Sequence, residues 1–597
     1  MNRKNRRASA KSNHGQDVGA LVRQAFTCHD RGALAECAAL LRQAIGQSPA
    51  DAQLHSNLGI VLQQMGRGVE ALAACTRAAQ LAPALPECHF ALGGALAALG
   101  RAEEAAAAFA RAVALKPAYV EAQVNLGNAL RALGRFEEAV AAYRQAAALA
   151  PEVAAVHANL GNVLAQLGRA DEAIAALRRA VGLAPGFAEG HSNLGNALTE
   201  AGRLDDAVEA HRRAVSLAPA VAELHFNLAD ALARGGLDEE AIAAWRRALA
   251  LKPDYADAHY NLGNALSVAG RLDEALAAYR QAAALAPDHA ESRYNGALAL
   301  LLKGDWRQGW EDYEYRWRRP GAAPRRFEAP QWDGAPPAGR TLLLLHAEQG
   351  LGDTIQFARF AASCGGPVVL EVQPPLVALL QGLAGTERVV AAGAALPPFD
   401  SHLPLMSVPR VLGLGPDRVA AAPYLTADPE RVSAWRRRLG DHGFKIGIVW
   451  QGNPDSPVEK GRSIPLACFA PLARVAGTRL ISLQKNHGCE QLSSLPAGMA
   501  VETLGDDFDA GPGAFLDTAA VMQGLDLVVT SDTAAAHLAG ALGRPVWIVL
   551  KRVPDWRWLM DRDDSPWYPT ARLFRQRVDG DWGEPFARIA RAAEALS

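Results

Sequence analysis

Long apolar runs, paired cysteines and a surplus of one charge are all missing from this 597-residue chain. Without an uncharged apolar run of 18 residues outside the repeated region described below, no membrane span is predicted. The seven cysteines are scattered and form no CxxC pair, which favours reduced thiols in a cytoplasmic protein over disulfides or zinc. A net charge of −2 argues against nucleic acid as a partner.

What the chain does contain is a strict repeat in its first half. A proline recurs every 34 residues, and a glycine recurs with the same spacing from Gly32 to Gly304. A helix–turn–helix unit of 34 residues is the signature of tetratricopeptide repeats. We therefore predict an α-solenoid of about eight repeats and a degenerate ninth. The prolines are Pro49, Pro83, Pro117, Pro151, Pro185, Pro219, Pro253 and Pro287.

Six of the predicted repeats carry a Leu-Gly pair on the first helix, as at Leu58-Gly59 and Leu126-Gly127. A glycine at this place lets the second helix of the repeat approach closely, because it has no side chain. A single repeat cannot bury its own apolar face, so the repeats must stack on one another. The array is predicted to hold another protein.

An asparagine precedes the Leu-Gly position in most repeats, with Ala91 interrupting the series. We expect these side chains to face the concave surface, where a carboxamide can both donate to and accept from the backbone of an extended peptide. The alternative is that asparagine is simply common at this repeat position. The predicted acceptor-binding residues are Asn57, Asn125, Asn159, Asn193, Asn227, Asn261 and Asn295.

The composition changes near residue 306: eleven of the twelve tryptophans lie at or after this position. The aromatic segment 304–320 is interpreted as a cap on the last repeat, with an exposed platform for an acceptor as the alternative. The predicted organisation is a disordered basic tail (1–15), a capped solenoid (16–320), a linker (321–339), a first Rossmann-like half (340–425), a connector (426–444) and a second Rossmann-like half (445–597).

Beyond residue 340 short apolar runs alternate with helical stretches, which indicates an α/β fold with buried parallel strands. Two such halves leave a cleft at the carboxyl ends of their strands, where ligands bind. The predicted strands are Thr341–Leu345, Val368–Val372, Ile446–Trp450, Arg479–Leu483, Leu525–Thr530 and Pro545–Leu550.

Two junctions between a strand and a helix carry the candidate chemistry. In the first, Gly350 and Gly352 permit a tight turn close to a ligand, and Asp353 follows at the mouth of the cleft. Asp353 also suits the cap of the next helix, so both roles stay open. In the second, residues 530–537 (TSDTAAAH) begin a helix with small side chains, whose free N–H groups suit a diphosphate.

The motifs GLGD (350–353) and SDTAAAHLAGALGRP (531–545) resemble those of heptosyltransferase-type glycosyltransferases of the GT-B fold. The resemblance covers roughly residues 340–597 and departs from the family at Ala534, where glycine is usual. With the repeats, the aromatic segment and the DSPWYP segment (564–569), the chain resembles bacterial tetratricopeptide-repeat glycosyltransferases. Some soluble members of that group modify flagellin. The plan is also similar to that of the eukaryotic O-GlcNAc transferase, in which such an asparagine ladder holds acceptor protein.

The resemblance implies a role for individual residues. Asp353 matches the general base of the family, and the second motif matches its nucleotide-diphosphate site. The resemblance implies no metal and no cofactor beyond the nucleotide-sugar as co-substrate. The residues implied for donor binding are Gly350, Gly352, Lys460, Arg462, Gln484, Lys485, Asp532, Thr533, Ala534, Ala535 and His537.

The sequence is thus interpreted as a cytoplasmic, metal-independent glycosyltransferase acting on Ser or Thr of a protein held by the repeats. Asp353 would take the hydroxyl proton, and the helix after Thr533, with Lys460 or Arg462, would hold the leaving group. Two alternatives stay open: a transferase acting on a surface glycan or a lipid-linked acceptor, and a non-catalytic scaffold whose transferase half has decayed.

Overall fold

A computed structural model describes residues 17–335, 341–419, 423–455, 459, 461–511 and 513–596. The predicted tail (1–15) and the end of the predicted linker (336–339) lie outside the described residues. The chain divides into two compact units, Met1–Pro253 and Asp254–Ser597. This division falls inside the repeats, well before the change in composition near residue 306.

The first unit confirms the predicted helical repeats. Each helix packs on the next along the chain, and the first helix of each repeat ends at a glycine whose φ lies between +71° and +75°. Only glycine adopts this left-handed conformation readily, which explains the glycine period. The helices are α1 (Val18–Asp30), α2 (Leu34–Gln47), α3 (Ala52–Gln64), α4 (Gly68–Leu81), α5 (Pro86–Ala98), α6 (Ala102–Leu115), α7 (Val120–Ala132), α8 (Phe136–Leu149), α9 (Ala154–Gln166), α10 (Ala170–Leu183), α11 (Ala188–Glu200), α12 (Leu204–Leu217), α13 (Ala222–Arg234) and α14 (Asp238–Leu251).

The Leu-Gly glycines allow the close helix approach that the sequence predicts. A Cβ added to Gly93 would lie 2.7 Å from the Phe109 ring, and one added to Gly127 would lie 2.7 Å from the Tyr143 ring. Both distances are too short for a real side chain, so a residue larger than glycine at position 93 or 127 would displace the ring that faces it. The prediction of close packing within each repeat is confirmed.

Histidines also recur with the 34-residue period, and no role was predicted for them from the sequence. In five repeats a histidine near the start of the first helix places Nε2 2.9–3.1 Å from the carbonyl oxygen of the proline six residues earlier. Each histidine therefore pairs with a carbonyl in the turn that joins two repeats. The histidines are His55, His89, His157, His191 and His225.

His211 takes the position that Phe109 holds three repeats earlier, facing the Leu-Gly glycine of its own repeat. Its side chain is 1% exposed, and its Nδ1 has no hydrogen-bond partner among the described residues. Burial lowers the pKa of His211 from 6.5 to about 4. The repeat therefore buries a neutral imidazole where other repeats bury an aromatic ring.

Changing His211 to phenylalanine should make the stability of the repeats less sensitive to acid. Between pH 6.5 and 4 the unfolded chain binds a proton at His211 and the folded chain does not, so stability falls as the pH falls through this window. The expected loss is about 2 kcal/mol between pH 7.5 and pH 5. Urea unfolding at both pH values, followed by circular dichroism, should show that the variant escapes this loss. Equal losses in the variant and the parent would contradict the prediction.

The second unit begins with helices α15 (Ala256–Val268), α16 (Leu272–Leu285), α17 (Ala290–Lys303) and α18 (Trp306–Tyr313). The rings of Trp306 and Trp310 are buried rather than exposed on a platform. Trp306 stacks on Trp567 with 4.8 Å between ring centroids, and Trp310 meets Trp556 edge-on at 5.2 Å. This aromatic cluster joins the last repeat to the α/β region that follows it.

Two parallel sheets form the α/β region, as the sequence predicts. The first sheet has strand order β3-β2-β1-β4, and the second has the order β10-β9-β8-β5-β6-β7. The strands are β1 (Leu343–His346), β2 (Val368–Val372), β3 (Thr386–Ala391), β4 (Ser401–Pro404), β5 (Phe444–Val449), β6 (Thr478–Ser482), β7 (Val501–Glu502), β8 (Leu527–Ser531), β9 (Val546–Leu550) and β10 (Ala571–Arg575).

The six predicted strands are the six interior strands of the two sheets, with ends shifted by at most two residues. The four that the sequence analysis missed, β3, β4, β7 and β10, are the four edge strands. The remaining helices are α19 (Leu351–Ala358), α20 (Val377–Leu380), α21 (Val408–Val411), α22 (Pro429–Leu439), α23 (Ala470–Ala473), α24 (Leu516–Met522), α25 (Ala534–Ala541) and α26 (Gly583–Glu594).

Each sheet has one point where the strand order reverses. In the first sheet the chain runs outward from β1 to β3 and then returns to β4 on the other side of β1. In the second sheet it runs from β5 to β7 and returns to β8 beside β5. Ligands of open α/β sheets bind at the carboxyl ends of the strands at such switch points. The fold therefore offers two such places, β1/β4 and β5/β8.

Candidate functional site

The helices that follow the two predicted motifs meet at their amino-terminal ends. A Cβ added to Gly352, at the start of α19, would lie 3.3 Å from the Ala534 Cα and 3.0 Å from the His537 ring of α25. Such close packing leaves no space for a larger residue at position 352. The GLGD turn and the TAAAH helix start, which are more than 180 residues apart in the sequence, are therefore neighbours.

Five charged side chains form an unbroken series of ion pairs, the charge chain, beside this junction. Arg462 Nη2 lies 2.8 Å from Asp532 Oδ2 and 3.1 Å from Asp555 Oδ2. Arg557 Nη1 lies 2.7 Å from Asp555 Oδ1, and Arg557 Nη2 forms an ion pair with Asp353 Oδ1. The order Asp532–Arg462–Asp555–Arg557–Asp353 alternates in sign. It connects the switch point of the second sheet to the GLGD turn that follows the first strand of the first sheet.

Burial and ion pairing set the proton affinities along this chain. Burial raises the pKa of Asp532, and the nearby Arg462 only partly offsets that effect. Burial would also raise the pKa of Asp555, but Arg557 and Arg462 together hold it below its ordinary range. The pKa of Arg557 is raised: the carboxylates of Asp555 and Asp353 outweigh the burial of the guanidinium. The charge chain has three carboxylates and two guanidinium groups, so these five side chains together carry one net negative charge when all are ionised.

Asp353 is both a helix cap and a partner in the charge chain. It is the third residue of α19, and its Oδ2 accepts a hydrogen bond from the Gly350 amide at 2.9 Å. Its other oxygen meets Arg557, which also donates from Nε to Gln356 Oε1 at 2.9 Å. Asp353 therefore caps α19 through one oxygen and pairs with Arg557 through the other.

Hydrogen bonds also tie the GLGD turn to the last repeat. Gln349 Nε2 donates to Tyr313 Oη at 2.7 Å, and the Gln349 carbonyl accepts from Gln373 Nε2 at 2.6 Å. Gln373 Oε1 in turn accepts from Thr354 Oγ1 at 2.9 Å. The position of α19 therefore depends on side chains from α18 as well as from its own sheet.

His537 is buried and held on two sides. Its Nδ1 lies 3.0 Å from Tyr568 Oη, and its ring stacks on Trp558 with 5.4 Å between centroids. Burial, reinforced by the nearby Arg557, lowers the pKa of His537 well below 6.5. The imidazole is therefore neutral at physiological pH and acts as a hydrogen-bonding group rather than a cation.

Gln484 has no free hydrogen-bonding capacity at this place. Its Oε1 accepts from the amides of Trp450 and Gln451 at 3.0 and 3.1 Å, and its Nε2 donates to the carbonyls of Gln451 and His487 at 2.8 and 2.9 Å. All four interactions stabilise the loops after β5 and β6. Gln484 therefore shapes the carboxyl edge of the second sheet, and its amide faces protein on every side.

The two lysines predicted to bind donor, and a third lysine near the charge chain, differ in their surroundings. Lys485 is exposed and donates to the backbone carbonyl of Phe508, and Lys460 lies outside the described residues. Lys551, which the sequence analysis did not single out, directly follows β9. Burial, followed by the positive charge of Arg462, lowers the pKa of Lys551.

Asp555 and Arg557 are the functional candidates that sequence reasoning missed. Both lie in the loop after β9, in the segment Pro554-Asp555-Trp556-Arg557-Trp558. The available signal was a pair of opposite charges interleaved with tryptophan directly beyond a predicted interior strand. Nothing in the local pattern identifies Asp353 or Arg462 as the partners of these two residues.

The asparagine ladder is not uniform. Every member is half-buried, but some carboxamides are occupied within the repeats. Asn227 Nδ2 donates to Ser192 Oγ at 3.1 Å, Asn295 donates to Asn264 Oδ1 at 2.9 Å, and Asn57 accepts from Gln53. Among the described residues, no side-chain hydrogen bond engages the carboxamides of Asn125, Asn159, Asn193 and Asn261.

Comparison with known families identifies the repeats. Profiles described as "Tetratricopeptide repeat" match residues 30–86, 86–119, 124–186 and 256–289, and one described as "TPR repeat" matches 195–236 and 229–267. Repeats of this kind stack into extended surfaces that bind peptides and proteins. Within the described part of the chain, no helix is both long enough and apolar enough to cross a bilayer.

Among characterised proteins, the chain is similar to "Protein FlbA" of Caulobacter vibrioides, with 27% identity over 324 residues. The match covers 49% of this chain and 53% of that protein, so the chain spans about half the length of the relative. Among solved structures, the repeat protein YrrB is 26% identical over 31% of this chain and 96% of its own, with a TM-score of 0.28. The Cut9–Hcn1 structure is 19% identical over 49% of this chain and 59% of its own, with a TM-score of 0.35.

Proposed function

We propose that the chain transfers a sugar from a nucleotide-sugar to a Ser or Thr hydroxyl of a protein held by its repeats. One observation carries the proposal: segments that the sequence assigns to a single reaction meet at one cluster. The GLGD turn, Arg462 and the helix start at Ala534 lie together at the carboxyl edges of two parallel sheets. This is the part of an α/β fold where ligands bind.

The proposed donor site is the amino-terminal end of α25. Its first N–H groups have no partners within the helix and point to a place where the helix dipole favours an anion. Thr533 precedes the helix in an extended conformation, and Ala534 and Ala535 place only small side chains at the helix start, where Gly352 also packs. Arg462 lies beside Asp532, which directly follows β8, and is paired with both Asp532 and Asp555.

The proposed reaction uses Asp353 as the base. The acceptor oxygen attacks the anomeric carbon while the bond from that carbon to the diphosphate breaks, and the diphosphate leaves with the electron pair. Asp353 takes the hydroxyl proton. The ion pair with Arg557 and the hydrogen bond from Gly350 hold the carboxylate in one orientation, which general-base catalysis requires. The amides of α25 stabilise the departing negative charge.

The direct test incubates the full chain with purified flagellin and a panel of nucleotide-sugars, and reads the product by intact mass. The proposal expects flagellin to gain whole sugar residues with at least one donor, and to gain none when the nucleotide-sugar is omitted. If flagellin binds to the chain but gains no mass with any donor, the result favours a non-catalytic repeat scaffold instead.

Replacing Asn125, Asn159 and Asn193 together with alanine should weaken the binding of acceptor protein by more than tenfold. These carboxamides have no hydrogen-bond partner in the described part of the chain, and each lost pair of hydrogen bonds to a peptide backbone should cost about 0.5–1.5 kcal/mol. Calorimetry with acceptor protein measures the change, and nucleotide-sugar affinity should stay the same.

The matched control for this triple variant is Asn227→Ala. Asn227 belongs to the same series but already donates to Ser192, so its loss should reduce the stability of the repeats rather than acceptor affinity. Alanine is also the better helix former, which limits any damage to the helices. Equal acceptor affinity in the triple variant and the parent would refute the ladder as an acceptor surface.

A further inference from the structure

A cavity lies at the switch point of the first sheet, apart from the charge chain. Its volume is about 270 Å³, and it is lined by His346 at the carboxyl end of β1 and by His402 and Pro404 of β4. Arg325 and Gln331, on the segment before β1, complete its rim. Both rim side chains are exposed, so the cavity can be reached from solvent.

Unpartnered histidines are the main feature of this cavity. His346 is 3% exposed, and neither of its ring nitrogens has a hydrogen-bond partner among the described residues. His402 is 5% exposed, and its Nδ1 is likewise without a partner within the described part of the chain. Buried polar atoms in native proteins are nearly always hydrogen-bonded, so three nitrogens without a partner are exceptional. They have almost no accessible surface, so a ligand that bonded to them would have to shift the packing around the two rings, including Phe327 at 5.4 and 4.6 Å between centroids.

Both histidines are neutral. Burial, followed by the positive charge of Arg325, lowers the pKa of His346 to about 3, and the same two causes lower the pKa of His402. A neutral imidazole offers one N–H donor and one nitrogen acceptor. Such a pair of groups suits hydroxyls, which also donate and accept.

The charged residues at the cavity neutralise one another. Glu314 lies 2.7 Å from Arg316, and Arg325 forms an ion pair with the buried Glu371. Of the described residues that line the cavity, the charged ones are Glu314 and Arg325, and each is already paired with an opposite charge. Trp317 adds an aromatic surface to the lining, of the amphipathic kind that packs against the C–H face of a sugar.

We infer that this cavity binds one neutral sugar ring, through His346 and His402 and against Trp317. Its volume lies just below the range of about 300–1,000 Å³ for drug-sized ligands, which fits a single ring rather than an oligosaccharide. The site is separate from the proposed donor site, which lies at the switch point of the second sheet. The inference concerns binding alone and does not require the proposed transfer reaction.

The test titrates the full chain with free glucose, rhamnose and N-acetylglucosamine, with inorganic phosphate as the anionic comparison. Saturable binding of at least one sugar, followed by calorimetry or by saturation-transfer NMR, is expected, and a saturating nucleoside diphosphate should not displace it. His346→Leu should weaken binding at least about tenfold, the equivalent of one good hydrogen bond. His211→Phe, which changes a buried histidine in the repeats, should leave sugar binding unchanged.

Gln331→Ala provides a second variant if His346→Leu fails to fold, because Gln331 is exposed and its side chain only contributes to the rim. It should weaken sugar binding severalfold. The inference is overturned if none of the three sugars binds, if phosphate binds more tightly than the sugars, if the nucleotide displaces the sugar, or if the folded variants bind it as tightly as the parent. Failure of glycosyl transfer would not affect any of these outcomes.

Discussion

Changing Asp353 to asparagine should lower the rate of sugar transfer by about 10²–10⁴-fold, the usual contribution of a general base. An asparagine oxygen can still accept the hydrogen bond from Gly350 that caps α19, so the helix should stay in place. The loss should appear in kcat, measured with donor and acceptor at saturation. Donor affinity should change little, because the proposed donor contacts lie on α25.

Asp428→Asn is the matched control for that variant. Asp428 also caps a helix, accepting from the amides of Glu430 and Arg431 at 2.9 Å, but it has no place in the proposed site. The control should keep near-normal turnover. If both variants lose activity equally, or if Asp353→Asn turns over normally, Asp353 is a structural cap and the proposed base is wrong.

Changing Arg557 to methionine should reduce the free energy of unfolding by about 3–5 kcal/mol, because it removes one partner from a buried ionic network. The Arg557 side chain is 8% exposed and pairs with both Asp353 and Asp555. Without it, Asp353 loses its guanidinium partner and Asp555 retains only Arg462. Urea unfolding, followed by tryptophan fluorescence, measures the change.

The deficit caused by Arg557→Met should also depend on pH. In the parent, Arg557 and Arg462 hold the pKa of Asp555 below its ordinary range. In the variant, burial is less opposed and the pKa of Asp555 should rise. A carboxyl whose folded pKa is raised loses stability as the pH rises through that pKa, so the deficit should be larger at pH 8 than at pH 5.

Arg562→Met is the control for that experiment. Arg562 also pairs with a carboxylate, Asp564, at 2.6 Å, but the two side chains are 33% and 70% exposed. Exposed ion pairs contribute about 0–1 kcal/mol. If Arg557→Met is no less stable than Arg562→Met, the buried charge chain does not contribute to folding as described.

Local patterns predict the parts of this fold that depend on one strand or one helix. The proline and glycine periods identify the repeats, because each of these residues marks a fixed point in the backbone of the repeat. The apolar runs identify interior strands, because both faces of those strands are buried. The edge strands gave no such signal. Thr386–Ala391 begins with Thr-Glu-Arg, and Ala571–Arg575 contains an arginine at each of two positions, because an edge strand is exposed along one side.

The candidate site follows the same division between local and long-range information. Motif and position were enough to select Asp353, Arg462 and Asp532, which the fold brings into one charge chain. Asp555 and Arg557 complete the charge chain, but they could not be predicted from the sequence. Each pairs with a residue more than 90 positions away, and only the fold brings these partners together. The unpartnered nitrogens of His346 have no sequence signal at all, since burial without a partner is a property of the folded chain.

The stacking of Trp306 on Trp567 bears on how this protein can change in evolution. Repeats in the first unit contact mainly their neighbours and share one 34-residue phase, so unequal recombination can add or remove whole repeats there and still leave a continuous stack. The last repeat has no such freedom, because its tryptophans and Tyr313 are part of the packing and hydrogen bonding of the α/β region. Related chains are therefore expected to differ in repeat number upstream of residue 254 and to keep one aromatic terminal repeat.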